Sequence, residues 1–339
     1  MNYRRLGRTG LKVSEVSFGS WITFGNQVDT TSAGACMRAA YEGGVNFFDN
    51  AEGYAGGKSE EVMGELLAGF AWPRDSFIVS SKVFFGARRD WPTQTGLSFK
   101  HVRDACDDAL KRLRVDYLDL YFCHRPDPET PIDETVRAMN QLITAGKVLY
   151  WGTSEWSAAE IATAHAMAAR EGLVGPSMEQ SLYNIFSRRR IEQEYATLFR
   201  DFGMGTTIFS PLAQGLLTGK YNEEMPTDSR AGADDQSVSF FIRRGWDEAE
   251  GRSRLEACRG FAEIAADAGM SMAHLAIAWC LSNPNISTAI MGATRPEQVV
   301  ENVAASESSA KLTPEIKARI DEVCRSCGAD VGVSLEMLA

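Results

Sequence analysis

The sequence has no long uninterrupted run of apolar residues and no excess of basic residues. Residues 1–7 lack the apolar segment of a signal peptide, and the apolar stretch 275–281 is too short to cross a bilayer. A net charge of −10 argues against a general surface for nucleic acid or anionic membrane, because such surfaces need clustered Lys and Arg. We therefore expect a cytoplasmic protein with no nucleic-acid or membrane partner.

Cysteine and histidine are too few and too scattered to indicate a disulfide framework or a metal site. The seven cysteines are an odd number, and most fall within apolar helix or strand patterns, which favours reduced core thiols. Cys324 and Cys327 alone have metal or redox spacing, but without a second pair we expect an ordinary helix surface, with a metal or redox role as the alternative. His101, His165 and His274 fall within helix patterns and receive no role, and no metal is predicted.

The chain does contain a regular alternation of strand and helix patterns. A short hairpin, 3–6 and 11–14 around a Gly-flanked turn, is predicted to cap one end of the fold. Helices are predicted between and after the strands, among them 190–202, 254–268 and 296–305. The predicted strands are 16–19, 45–49, 77–82, 117–124, 148–153, 177–180, 206–209 and 288–291.

The spacing of these strands indicates the fold class. The first seven strands are roughly 30 residues apart, about the length of one βα repeat. No break in composition divides the chain, so we predict a single (β/α)8 TIM barrel domain over residues 1–339, with long loops on its active face, rather than a doubly wound sheet. About 250 residues plus insertions accounts for the length.

Ionisable residues occupy three successive strand ends. Asp49 ends the second barrel strand, with Tyr54 five residues later in a Gly-containing loop. Lys82 ends the next strand, and His124 ends the one after it. Taken singly, such residues could be packing or solvated rim residues. Because chemistry in these barrels lies at the C-terminal strand ends, their joint position favours catalysis.

These four residue types suit carbonyl reduction, which needs a hydride donor and a proton for the developing alkoxide. A free tyrosine with a pKa of about 10 is a poor acid–base group near neutrality. We expect Lys82 to favour the phenolate of Tyr54, and Asp49 to hold the Lys82 ammonium. His124 is expected to orient the carbonyl oxygen between itself and the Tyr54 hydroxyl.

Further motifs extend this pattern along the chain: Trp21 within segment 18–25 and Gln27, Phe48-Asp49 with Tyr54, Lys82, His124-Arg125-Pro126-Asp127, Trp151-Gly152-Thr153-Ser154, Ser210-Pro211-Leu212 with Gly215, Leu217, Gly219 and Lys220, and Gly292-Ala293-Thr294 with Gln298, Glu301 and Asn302. This ordered set resembles the aldo-keto reductase superfamily over almost the whole chain. The first segment is similar to the branch that contains the potassium-channel β subunits and their bacterial relatives. This chain differs from the channel β pattern at Glu155, at Gln214 and at His124, where those proteins carry Asn.

The resemblance implies NADPH as cofactor. No Gly-x-Gly-x-x-Gly follows the first strand, so a Rossmann site is not predicted. Gly215 and Gly219 are expected to let the chain turn closely around a pyrophosphate, and the helix after Thr294 to attract phosphate at its N-terminus. Phe209 would stack on the nicotinamide, with a core position as the alternative. The implied cofactor contacts are Ser20, Trp21, Gln27, Asp49, Ser154, Gln180, Phe209, Ser210, Pro211, Leu212, Gly215, Lys220, Arg230, Gly292, Thr294, Gln298, Glu301 and Asn302.

Within that set, the resemblance implies distinct roles. Ser154 and Gln180 would bind the carboxamide, and Glu301 and Asn302 would contact adenine. Arg230 would lie beside the 2′-phosphate with Thr294 and Gln298.

Aromatic residues in the long loops suggest a substrate pocket. The insertion 223–251 carries Phe240, Phe241 and Trp246 and is expected to form a lid, because long loops on a barrel's active face often do. With it, Trp21, Phe84, Phe85 and Trp91 would line an aromatic pocket, or form an oligomer contact instead.

We therefore expect an NADPH-dependent reductase of aldehydes or ketones acting on a small-molecule carbonyl substrate, with homo-oligomerisation left open. The alternative is a cofactor-binding auxiliary or redox-sensor subunit that acts through a protein partner. A metal-dependent hydrolase would need clustered ligands that the strand ends lack.

Overall fold

The computed structural model describes residues 1–21, 23–25, 28–223 and 249–328. Within them, eight parallel strands close into a barrel, and the α-helices lie around it. The predicted (β/α)8 barrel with an N-terminal hairpin is therefore confirmed. Most of the predicted lid, including Phe240, Phe241 and Trp246, lies outside the described residues.

Strands and helices alternate as the sequence pattern predicts. The hairpin strands are β1 (Tyr3–Arg5) and β2 (Lys12–Ser14). The barrel strands are β3 (Val16–Gly19), β4 (Phe47–Asp49), β5 (Ile78–Val83), β6 (Leu118–Cys123), β7 (Val148–Ser154), β8 (Met178–Leu182), β9 (Gly205–Phe209) and β10 (Thr288–Met291). The helices are α1 (Thr30–Glu42), α2 (Lys58–Phe70), α3 (Phe99–Leu113), α4 (Ile132–Thr144), α5 (Ala158–Glu171), α6 (Ala249–Asp267), α7 (Met272–Leu281), α8 (Pro296–Ala304) and α9 (Pro314–Ser326).

The barrel closes by pairing of β10 with both β3 and β9, in a parallel register throughout. Among the described residues, no single helix is long and apolar enough to cross a membrane. Helices α6 and α7 would be long and apolar enough only together, and they are bent by 88° relative to each other.

The hairpin covers the end of the barrel where the strands begin. Leu6 and Val13 are fully buried and join the apolar cluster inside the barrel. At Gly7 the chain has a φ of +56°, and a Cβ there would lie 2.3 Å from the backbone nitrogen of Gly205 at the start of β9. Only glycine fits this approach, so the predicted cap depends on that residue.

Two predicted segments differ from the structure. The predicted helix 190–202 consists of two π-helical segments, Arg190–Glu194 and Leu198–Phe202, whose wider turns are uncommon in proteins. The predicted helix surface at Cys324 is wrong, because this residue is fully buried on α9 and accepts a 3.8 Å hydrogen bond from Nη2 of the buried Arg188. Cys327 is half-buried.

Strand alternation determines which side chains enter the barrel. Residues two apart on a strand point to the same side of the sheet. Phe47, Ile78 and Phe122 belong to the cluster inside the barrel, whereas the intervening Phe48 and Val79 pack towards the helices. The inward-facing positions that follow, at the C-terminal end of the barrel, are occupied by Asp49, Ser80, Lys82 and His124.

Candidate active site

Asp49, Lys82 and Tyr54 form one connected group at the C-terminal end of the barrel. Nζ of Lys82 lies 2.6 Å from Oδ2 of Asp49 and 3.2 Å from the hydroxyl oxygen of Tyr54. It also donates to the backbone oxygen of Asn50 at 2.7 Å. The Lys82 side chain is fully buried, so these three acceptors replace its hydration.

Asp49 accepts hydrogen bonds from three further side chains, which the sequence did not predict as its partners. Its Oδ1 accepts from Oγ of Ser80 at 2.7 Å and from Nε2 of Gln180 at 3.1 Å, while its backbone oxygen accepts from Oγ of Ser20 at 3.0 Å. Ser80 lies two residues before Lys82 on β5, so strand alternation is the signal that could have identified it. Ser20 and Gln180, predicted to contact the cofactor, thus lie beside the predicted catalytic group.

His124 lies beside Tyr54 and Phe85. Its ring is 5.7 Å from the ring of Tyr54 and 5.0 Å from that of Phe85, both in edge-on arrangements. Nδ1 is buried and has no hydrogen-bond partner among the described residues. Phe85, predicted to line an aromatic pocket or to form an oligomer contact, therefore lies against His124.

The surroundings of these groups set their protonation. Burial, the Lys82 ammonium and the Arg125 guanidinium together lower the pKa of His124 well below its usual value, so the imidazole is neutral at pH 7. Burial raises the pKa of Tyr54 and outweighs the opposing charge of Lys82. Burial lowers the pKa of Lys82, but Asp49 and Tyr54 outweigh it and the net change is upward. Lys82 favours the phenolate of Tyr54, as expected, but burial outweighs it, and the site holds a neutral phenol beside an ammonium.

Glu52 and His101 anchor the loop that carries Phe85. Oε1 of Glu52 accepts the backbone N–H groups of Phe84 and Gly86, each at 2.9 Å. Oε2 lies 3.5 Å from Nε2 of His101, and Nδ1 of that ring lies 2.8 Å from the backbone oxygen of Gly96. No role was predicted for His101, because Glu52 and His101 are far apart along the chain and no local pattern joins them.

Arg125 follows His124 and extends along the edge of the site. Its Nη1 donates to the backbone oxygen of His124 at 2.5 Å and to Oγ of Ser154 at 3.4 Å. The guanidinium carbon lies 5.7 Å from the centre of the Phe85 ring. Arg125 belongs to the motif His124-Arg125-Pro126-Asp127, from which no function was predicted for it.

The loop after β9 has the backbone shape expected of a close phosphate contact. Ser210, Ala213 and Gln214 have φ between 46° and 59°, and Gly215 and Gly219 have φ of 100° and 81°. Successive positive φ values turn the backbone N–H groups towards one side, as in anion-binding loops. The half-buried Phe209 ends β9 immediately before this loop.

The N-terminus of α8 is the second expected phosphate contact. Its N-cap residue, Arg295, makes no side-chain capping bond and is exposed, so the first-turn N–H groups are not occupied by that side chain. Oε1 of Gln298 instead accepts from the backbone N–H of Thr294 at 2.9 Å and from its hydroxyl at 3.2 Å. The positive-φ loop and the helix N-terminus are both backbone features that favour an anion.

The remaining predicted cofactor residues range from exposed to buried. Trp21 is 46% exposed, and Lys220 is exposed with its Nζ 4.8 Å from the Tyr221 ring centre. Glu301 accepts from Oγ of Ser271 at 3.2 Å, and Asn302 is buried on α8, where it lines a small cavity. Pro211 is buried, Leu212 half-buried and Gly292 exposed, whereas Gln27 and Arg230 lie outside the described residues.

The model of the aldo/keto reductase family matches residues 15–325 of the chain. The chain belongs to the aldo/keto reductase family. It is 46% identical over 331 residues to proteins named "Probable voltage-gated potassium channel subunit beta" from Oryza sativa subsp. japonica and from Arabidopsis thaliana, and 96% of this chain and 97% of each relative are covered. A Schizosaccharomyces pombe protein named "Putative voltage-gated potassium channel subunit beta" is 44% identical over 322 residues, with 95% of this chain and 92% of that protein covered.

Membership of the family supports an oxidoreductase activity for this aldo/keto reductase. The names of the relatives also confirm the predicted similarity to the channel β branch. Among the described residues, no cluster of three or more His, Cys, Asp or Glu side chains could hold a metal ion.

Proposed function

We propose that this aldo/keto reductase is a single-domain, cytoplasmic enzyme that reduces aldehydes or ketones to alcohols with NADPH, with Tyr54 as the general acid. The observation that carries the proposal is the position of the Lys82 ammonium, 2.6 Å from Oδ2 of Asp49 and 3.2 Å from the Tyr54 hydroxyl. This arrangement lies where barrel enzymes have their chemistry.

Each residue has a definite task in this reaction. Tyr54 is a protonated phenol, the form that can donate to the developing alkoxide. Lys82 stabilises the phenolate that remains after the transfer, and Asp49 holds the ammonium in place. The neutral His124 ring is a hydrogen-bonding group that can orient the carbonyl oxygen without competing as an acid.

The residues present fit a nicotinamide dinucleotide. A bound NADPH would supply the hydride and leave as NADP⁺, so that one C–H bond and one O–H bond form as the carbonyl becomes an alcohol. Ser154 and Gln180 would hold the carboxamide, and Phe209 would pack against the ring. The positive-φ loop 210–220 and the N-terminus of α8 are backbone features that would favour the phosphates.

The test is NADPH oxidation with a panel of aliphatic, aromatic and sugar-derived carbonyl compounds. The proposal expects turnover of at least one class, with stoichiometric formation of the alcohol. Tight NADPH binding without turnover of any compound would contradict it.

A second function is favoured by the names of the relatives. Proteins that are 46% identical over 96% of this chain are named channel β subunits, which supports a cofactor-binding subunit that acts through a protein partner. His124, where the channel β pattern has Asn, favours the enzyme. Absence of turnover together with stable capture of a defined partner would support the second function.

A further inference from the structure

The charges on the substrate side of the site do not cancel. The Lys82 ammonium is neutralised by Asp49 at 2.6 Å, and both Tyr54 and His124 are uncharged at pH 7. Arg125, which carries a permanent positive charge, lies next to them. The site therefore has one uncompensated positive charge beside the group that would react with a carbonyl.

No acidic side chain among the described residues lies within ion-pair distance of Arg125, although the chain has 45 Asp and Glu. The nearest acid along the chain, Asp127, faces another loop, because its Oδ2 accepts from the backbone N–H of Leu97 at 2.7 Å and from the hydroxyl of Thr130 at 2.8 Å. Glu155, next to Ser154, pairs with Arg190 at 2.6 Å. The nearby carboxylates are thus engaged elsewhere.

Half of the Arg125 guanidinium remains free for a ligand. Nη1 makes both of the hydrogen bonds of this side chain, to the backbone oxygen of His124 and to Ser154. Nε and Nη2 donate to no described residue, and the side chain is half-buried. An arginine fork of this kind matches the two oxygens of a carboxylate.

We propose that Arg125 binds a carboxylate of the substrate, so that the enzyme prefers aldehydes or ketones that carry a carboxylate near the carbonyl. This specificity belongs to the carbonyl reduction proposed above. Phe85, at 5.7 Å from the guanidinium and 5.0 Å from His124, would contact the part of the substrate between its two polar groups. Arg125 would then be a specificity-determining residue, and Tyr54 would remain the acid.

A matched substrate pair tests this specificity. The wild-type enzyme should reduce 4-carboxybenzaldehyde with a higher kcat/KM than its uncharged methyl ester. Arg125→Met should lower kcat/KM for the acid by about 10- to 100-fold, the range expected for loss of a charge-assisted hydrogen-bonding fork, and should affect the ester much less. Arg125→Lys keeps the charge but not the fork, so its kcat/KM for the acid should lie between those of the wild type and Arg125→Met.

Arg5→Met is the matched control, since Arg5 is exposed on β1 at the opposite end of the barrel and its loss changes the net charge equally. It should leave both substrates unaffected. Equal losses for acid and ester in Arg125→Met would overturn the proposal, because Arg125 would then serve the cofactor or the fold. A wild-type enzyme without preference for the acid would overturn it as well.

A binding measurement separates this specificity from the reductase activity itself. Calorimetric titration of the NADP⁺-loaded protein with 4-(hydroxymethyl)benzoate and with its methyl ester requires no turnover. If no carbonyl is reduced but the wild type binds the carboxylate more tightly and Arg125→Met removes that preference, the reductase proposal fails and the anion site stands. If acid and ester bind equally, the anion site fails whatever the activity.

Discussion

Nζ of Lys82 lies 2.6 Å from Oδ2 of Asp49, and both side chains are buried inside the barrel. Removing one partner of a buried ion pair leaves an uncompensated charge, which typically costs about 3–5 kcal/mol. Lys82→Met should therefore lower the free energy of unfolding by roughly that amount and abolish carbonyl reduction. Adding Asp49→Asn should restore much of the stability but none of the activity. Urea unfolding at pH 7 measures this, and a double variant no more stable than Lys82→Met would contradict the expectation.

Tyr54→Phe should remove carbonyl reduction and leave NADPH affinity nearly unchanged, since the phenol would act on the substrate. General acid catalysis typically contributes about 10²–10⁴-fold, so a loss of that size in kcat is expected. Tyr3→Phe is the control, because the Tyr3 hydroxyl donates to the backbone oxygen of Gly44 far from the site. Single-turnover kinetics with saturating cofactor measure the effect. A Tyr54→Phe enzyme with the parent rate would rule out Tyr54 as the acid.

Glu52→Ala should raise KM for carbonyl substrates more than it weakens NADPH binding. The change removes the acceptor for the N–H groups of Phe84 and Gly86 and the partner of His101, so Phe85 should lose its fixed position beside His124. Glu52→Gln keeps an acceptor and should be milder, while the exposed Glu65→Ala should have no effect. Steady-state kinetics and cofactor titration measure both quantities. Equal weakening of substrate binding and cofactor binding in Glu52→Ala would indicate a general loss of structure instead.

The buried Glu192 should make stability depend on pH. Burial raises its pKa from 4.5 to about 7, despite the opposing hydrogen bond from Tyr183 and the charge of Arg188. The folded state favours the protonated carboxyl. The contribution of Glu192 to the free energy of unfolding is therefore full below pH 4.5 and is lost as the pH rises through 7. Glu192→Gln cannot ionise, so it does not lose this contribution. The free energy of unfolding of the variant relative to the parent should therefore be greater at pH 8 than at pH 5, by up to about 3 kcal/mol.

Chemical denaturation at the two pH values tests the Glu192 prediction. Glu263→Gln, an exposed change on α6, is the control and should show no such dependence. A pH-independent difference between Glu192→Gln and the parent would mean that Glu192 does not titrate in this range.

Arg295→Ala and Arg230→Ala should each weaken NADPH binding by about 10- to 100-fold and NADH binding much less. An arginine fork to the 2′-phosphate contributes roughly 1.5–3 kcal/mol to the binding free energy. Arg295 is the exposed N-cap residue of α8, and Arg230 lies outside the described residues. In a chain of net charge −10, the additional phosphate needs local basic groups. Fluorescence titration with both dinucleotides measures the difference. Equal weakening of both would assign these arginines to the shared pyrophosphate.

Local patterns in the sequence were sufficient to predict the barrel and to place the candidate catalytic residues at one end of it. Strand and helix periods depend on neighbouring residues, and a barrel brings all C-terminal strand ends to one face. Asp49, Lys82 and His124 could therefore be placed together without knowing any contact between them. The prediction for Cys324 was wrong because burial depends on distant elements: this residue lies on the buried side of α9, where Arg188 contacts it.

Tertiary structure alone decided the partners and the charge states within that site. Gln180 reaches Asp49 across 131 residues of sequence, and Glu52 meets His101 through a contact between a loop and a helix. The pKa of Tyr54 is raised because burial outweighs the charge of Lys82, a balance that no residue pattern reveals. The sequence by itself determined which side chains stand at the strand ends. Only the folded chain determined how far each is removed from water and which neighbour replaces that water, because desolvation and hydrogen bonding depend on distance in space and not along the chain.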